Sequence, residues 1–230
     1  MTLSISRKNV IIIASAAVIA LSMAIGSTLA WLTVSAGAKN NEFSVITASG
    51  DNPDMKASLT EPNWDSTGKA KASRVVPGQS IPKDPTITNT SVLPVSEWAA
   101  IRVTFTNGAG SPLAAADYQK LTGIISVNYG SGWYQTGPTS ESPSVLYFYY
   151  KTPLEQNEST SPLFTAVSVN QSAGNDDMAF IKDTLKGFDI QVSGAVVQGD
   201  AAKTPAWTSG DAVTNNLIAA FGGLFTSPAA

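Results

Sequence analysis

Two stretches of strict alternation constrain this chain most. In Trp98-Ala-Ala-Ile-Arg-Val-Thr-Phe105 the side chains of Ile101, Val103 and Phe105 fall on one side of an extended backbone and Arg102 and Thr104 on the other. Phe188-Asp-Ile-Gln-Val-Ser-Gly-Ala-Val-Val197 repeats the device, with Phe188, Ile190 and Val192 inward and Asp189, Gln191 and Ser193 outward. A period of two belongs to a half-buried strand and cannot be folded as a helix without scattering its apolar face. Phe164 to Val169 is a weaker example. Ser144-Val-Leu-Tyr-Phe-Tyr-Tyr150 is apolar or aromatic on both sides, which predicts a strand inside a sheet, the alternative being an outer aromatic surface that a partner covers. Gly, Pro, Asn and Ser clusters separate these segments, the punctuation of an all-β fold.

Helical patterning is sparse. Leu113 to Thr122, after Ser111-Pro112, and Ala212 to Phe221, between an Asp211 cap and Gly222-Gly223, predict one or two short helices on the sheets. Asn63 to Ser73 and Thr152 to Ser161 are polar, carry turn formers and read as exposed loops. Gly108 to Gly110 reads as a hairpin connection. Pro82 and Pro85 cannot donate to a ladder, so Ser80 to Asn89 is expected to be an edge or irregular strand. No internal repeat and no boundary divides the region after residue 50.

The N-terminus reads differently. Arg7-Lys8 precedes Val10 to Ile25, and no charged residue occurs between Lys8 and Lys39. A basic start, an apolar stretch and small residues at Thr28 and Ala30 have the anatomy of a secretory signal, with cleavage expected between Ala30 and Trp31. The alternative is a retained anchor, since about 20 apolar residues suffice to span a bilayer. Removing residues 1–30 leaves 12 basic against 17 acidic residues, an acidic balance that disfavours a nucleic-acid partner. An exported chain of this size without Cys must be held by its core, not by disulfides.

Most catalytic chemistry lacks its residues. The chain has no His and no Cys, so neither a Ser-His-Asp triad nor a zinc site with two His on one helix face can be assembled. The nearest acidic pairs, Asp51 with Asp54 and Asp176 with Asp177, lie in turn-like sequence without the spacing of a strong calcium loop. Gly108 to Gly110 lacks the Lys of a phosphate loop. Asn89, Asn157 and Asn170 begin Asn-x-Ser/Thr triplets, which arise by chance in Ser/Thr-rich chains. The residues point to a protein that is not an enzyme and call for no cofactor and no metal.

Directly after the expected cleavage site, Leu32, Val34, Ala36 and Ala38 alternate with Thr33, Ser35 and Gly37, a strand with one apolar, tapering face. Such a strand can pair within its own subunit, or fill a groove in the next one and so build a fibre. A rival reading is a monomeric adhesin or carbohydrate-binding sandwich, with Trp133 and Tyr134 near Gly130 to Gly137 stacking on sugars.

Gly26-Ser-Thr-Leu-Ala-Trp-Leu-Thr33, followed by Asn41-Glu-Phe-Ser-Val45, resembles the start of the TasA and camelysin family of Gram-positive bacteria, whose signals are cut by the peptidase SipW. Glu61-Pro-Asn-Trp-Asp65, Val76 to Thr90 and Trp98 to Val103 are similar to that family's central pattern, in the same order. Phe188 to Gln198, with a short helix after it, is similar to its closing strand. The resemblance implies a jelly-roll-like antiparallel β-sandwich assembling by donor-strand exchange into biofilm matrix fibres at the cell surface or beyond. It implies a signal peptide over 1–30, a donor segment over 31–50 and a sandwich over 51–230. The partners would be further copies of the chain, a signal peptidase of the SipW type and, in some fibres, an accessory subunit. Leu32, Val34, Phe43 and Val45 would be the donor anchors. Camelysin-type relatives are labelled metallopeptidases, a role that a chain without His or Cys would have to support through carboxylates alone.

Overall fold

The computed structural model describes residues 33–35, 55–136, 143–199, 204–222 and 224–225. Among these residues ten strands run β1 Thr33–Ser35, β2 Ala57–Thr60, β3 Ser80–Pro82, β4 Thr86–Asn89, β5 Glu97–Asn107, β6 Ile125–Val127, β7 Trp133–Thr136, β8 Val145–Tyr150, β9 Ala166–Val169 and β10 Phe188–Gln198. They form a five-stranded sheet in the order β1-β10-β5-β8-β7, a three-stranded sheet β3-β9-β6 and the pair β2-β4. Every pairing is antiparallel. Four short helices accompany them: α1, Trp64–Gly68 continued by Lys69–Ala72; α2, Ala115–Ile124; α3, Asn175–Ala179 continued by Phe180–Thr184; and α4, Ala212–Gly222.

The two alternating segments are the long central strands β5 and β10, paired over their whole length from Phe188↔Asn107 to Gln198↔Glu97. Ile101, Val103, Phe105, Ile190 and Val192 are buried, on one face. Phe148 on β8, paired with Ile101, extends that face and packs against Tyr129, which also meets Phe164 edge-on. The doubly apolar segment is β8, internal to the sheet as expected. The proline-bearing stretch splits into β3, at an edge, and β4. The Gly108 to Gly110 connection is a tight turn closed by Gly110 N–H to Asn107 O, with Gly110 at φ +81°.

Four expectations need correction. Ser193 is buried, not outward, because the C-terminal region covers its face of the sheet. Arg102, opposite Ser193, donates to the Phe225 carbonyl, while Tyr147 packs on Phe225 and Tyr149 on Phe221. Asn63 to Ser73 is largely α1 instead of a loop, and α3 brings the helices to four instead of one or two. The cap of α1 comes from outside the segment: Asp84 accepts from the Asn63 and Trp64 N–H groups. Gly68 lets the helix lie on β3, since a Cβ there would sit 2.1 Å from the Pro82 carbonyl oxygen. Thr152 to Ser161 is irregular but not simply exposed: Leu154 and Thr160 are buried, and Leu154 exchanges backbone hydrogen bonds with Glu97.

Candidate assembly interface

β1 pairs with the end of β10, Thr33 opposite Val197, Val34 opposite Val196 and Ser35 opposite Ala195, at the edge of the five-stranded sheet. Val196, opposite Val34 in the register, is fully buried. Of the sequence-derived interface residues, Val34 is thus placed on a sheet edge. Ala30, Trp31, Leu32, Phe43 and Val45 lie outside the described residues, as do the signal segment, the rest of the donor segment, Asp51, Asp54 and Gly137.

Among the described residues, β1 is the only strand on that edge of β10, and it leaves Phe188 to Gly194 without a ladder partner there. The direction of the backbone groups follows from β5. Phe105, opposite Ile190, donates to Ser144 O and accepts from Leu113 N–H, both away from β10. The pair is therefore not mutually bonded, and Ile190 turns its own N–H to the outer edge. There the Asp189 carboxylate accepts it at 2.7 Å.

A cleft of about 120 Å³ opens at the start of β10, lined by Trp64, Val75, Ile81, Val167, Ile181 and the run Gly187 to Ile190. Successive strand residues point to opposite faces, so a cleft lined by four in a row runs along the strand's edge. Its wall also carries Lys83, whose Nζ lies 2.9 Å from Glu61 Oε1 and 4.4 Å from the centre of the Trp64 ring. Lys83 and Glu61 are each only 5% exposed.

A second buried acid closes the opposite end of β5. Glu97 is wholly buried; Ser91 Oγ donates to its Oε1 at 2.6 Å, and its Oε2 has no partner among the described residues. Asn89 holds the surrounding loops through the Val95 and Leu154 carbonyls. Loss of water raises the Glu97 pKa to about 7, against a smaller lowering by Ser91. A carboxyl that binds its proton more tightly when folded contributes stability present below its ordinary value of 4.5, lost as pH rises to about 7. The loss across that window is about 3 kcal/mol. Glu97→Gln, which keeps the shape without the charge, is expected to be more stable than the wild type by about that amount at pH 8 and similar to it at pH 4 in urea denaturation. A variant weaker than the wild type at pH 8 would show that ionised Glu97 is well held.

The two aromatic candidates pack within the fold. Trp133 is 5% exposed, with its indole N–H on the Ser161 carbonyl, and Tyr134 is half-buried against Trp207. On β7 they meet the aromatics of β8, and Trp133 packs on Tyr150. Asp176 and Asp177 sit in the first turn of α3, where carboxylates favour the helix start, and Asp177 accepts the Gly174 N–H. No group of three or more metal-ligating side chains occurs among the described residues, nor a helix long and apolar enough to cross a membrane.

Sequence reasoning missed the stretch of the β10 edge without a ladder partner among the described residues, the Lys83–Glu61 pair and Glu97. Each depends on partners distant in the chain or on which edge of a sheet is left over. No protein-family model, no curated protein and no solved structure matches the chain.

Proposed function

We propose that this protein is a secreted structural subunit that polymerises by donor-strand exchange into extracellular matrix or pilus-like fibres. The observation that carries the reading is the place of β1. An alternating strand near the N-terminus occupies a sheet edge through three residue pairs, beside an 11-residue strand. A ladder this short is separable, and the same pairs made between copies cost no new contacts. Because the strand of one copy meets the edge of another, the contact is heterologous and propagates.

The sequence supports the rest. The signal-like N-terminus fits export, with processing by a peptidase of the SipW type, and the residues resemble those of TasA and camelysin proteins. A jelly-roll-like sandwich is the fold this reading carries, and the antiparallel sheets are compatible with it. The other partner is a further copy of the chain, with room for an accessory fibre protein. No cofactor enters.

The test is negative-stain microscopy of the protein beginning at Trp31 beside one carrying a blocking N-terminal extension. Filaments are expected from the first alone. Monodisperse particles from both would overturn strand exchange.

A further inference from the structure

We infer that the loop tip Val92-Leu93 of one copy seats in the apolar cleft at the start of β10 of the next, an end-to-end contact between copies of this chain that does not depend on strand exchange. Among the described residues the large hydrophobic side chains left exposed are Val76, Val92 and Leu93, at 45%, 61% and 45%. Two of them stand side by side on a loop that is firmly braced. Gln156 Nε2 donates to the Ser91 and Val92 carbonyls at 2.8 and 2.9 Å, and Asn89 Nδ2 to the Val95 carbonyl at 2.8 Å. The Ser91 N–H donates to Asn89 Oδ1, and Ser91 Oγ to the wholly buried Glu97. The Val95 N–H closes the turn on the Leu93 carbonyl at 2.8 Å. Single apolar residues scattered on a surface need no explanation, but an adjacent pair on a fixed tip marks a contact. Holding the pair in one geometry also lowers the ordering cost of burying it in a partner.

The cleft is the matching half. At about 120 Å³ it is far smaller than the roughly 300–1,000 Å³ of pockets that hold whole small molecules. Trp64, Val75, Ile81, Val167 and Ile181 give it apolar walls suited to one or two aliphatic side chains, and the exposed Val76 directly follows Val75. Tip and cleft belong to opposite ends of the same strands. Ser91 is bonded to Glu97, which pairs with Gln198, whereas the cleft follows Gly187 to Ile190, and Phe188 pairs with Asn107. The 11 residues of β5 between those ends span about 33 Å, so a copy cannot fill its own cleft. The contact is heterologous and continues from copy to copy. Charge favours the same occupant. Glu155 and Glu158 are exposed on either side of Gln156, and Lys56, whose N–H donates to Ser91, is the cation beside them. Around the cleft, Lys71 and Arg74 flank Ala72 and Val75, and Lys182 and Lys186 flank Ile181 and Gly187, all exposed, against Asp183 and Asp189. An acidic tip thus meets a basic surround, which steers one copy onto the next and disfavours tip against tip.

The chain has no Cys, so thiol cross-linking maps the contact cleanly. The experiment uses the protein with the blocking N-terminal extension, which shuts off strand exchange. Its Val76→Cys/Leu93→Cys double variant, treated with a short bis-maleimide, is expected to give a ladder of linked copies, because the two positions lie beyond the reach of the linker within one chain. Val92→Asp added to that variant should abolish the ladder. Leu93→Asp alone, at an exposed site, is expected to leave the urea midpoint unchanged and to raise the concentration at which the extended protein associates in sedimentation by about tenfold or more. An extended protein that stays unlinked while the one beginning at Trp31 forms fibres would overturn the tip-in-cleft contact and leave strand exchange standing. Links formed by the Leu93→Cys variant alone would show tips meeting tips and overturn the cleft as the seat. A ladder from the extended protein with no fibres from the one beginning at Trp31 would leave this contact standing while strand exchange falls.

Discussion

Val34→Asp is expected to abolish fibre growth and leave a soluble, folded monomer. Val34 pairs with Val196, which is fully buried. A carboxylate opposite a fully buried valine either loses water, at a cost of several kcal/mol, or pulls the strand out of the edge. Either way the three-residue ladder from which the proposed exchange starts is lost. The folded body is spared because the pairing of β5, β8 and β10 and their buried faces do not depend on β1. Sedimentation and electron microscopy of the protein beginning at Trp31 check the outcome. Fibres at normal yield would sink the role given to β1.

Lys83→Met is expected to destabilise the fold by about 3–5 kcal/mol at pH 8, because it strands a charge. Glu61 is buried beside Lys83, and even with that cation in place the loss of water holds its pKa above the ordinary value. The ion pair therefore does not repay the desolvation of the acid. A raised carboxyl pKa means stability present below pH 4.5 and lost as pH rises through the folded value, so the Lys83→Met deficit should shrink at pH 4, where Glu61 takes up its proton. Replacing both members, Glu61→Leu with Lys83→Met, is expected to recover most of the loss, since an apolar pair leaves no charge unpartnered. The lost attraction of Lys83 for the Trp64 ring remains as a smaller deficit. Urea denaturation of the three proteins at both pH values measures these terms. A Lys83→Met protein within about 1 kcal/mol of the wild type at pH 8 would show that water reaches Glu61.

The candidate site is partly legible in the residues alone. Strict alternation marks residues 32–38 as a strand with an apolar face, and Val34 does lie on a strand. Nothing local says which strand it joins: its partner, Val196, comes from the far end of the chain, and β10 shows the same alternation as β5, which is internal. The proline-bearing stretch reads as an edge or irregular strand; β3 is such an edge, but the edge of β10 carries β1. The helix at Asn63 to Ser73 is hidden for the same reason. Its polar residues favour turns, and the helix forms because Asp84 caps it from across the fold while Gly68 admits the backbone of β3.

By itself the sequence determined the periodicities: two long strands each with an apolar face, a doubly apolar inner strand, helices read over Leu113–Thr122 and Ala212–Phe221 and found at Ala115–Ile124 and Ala212–Gly222, and a chain without His or Cys. These follow from geometry within a few residues, where a period of two or the cap at Asp211, which accepts the Thr214 N–H, needs no distant partner. Only the tertiary structure decided that Ser193 is covered, that Trp133 is core, that Glu97 and Glu61 are buried acids, and which strand β1 joins. Burial and edge position are properties of what packs against a residue. A polar side chain carries no local mark of whether a distant segment of the chain will close over it.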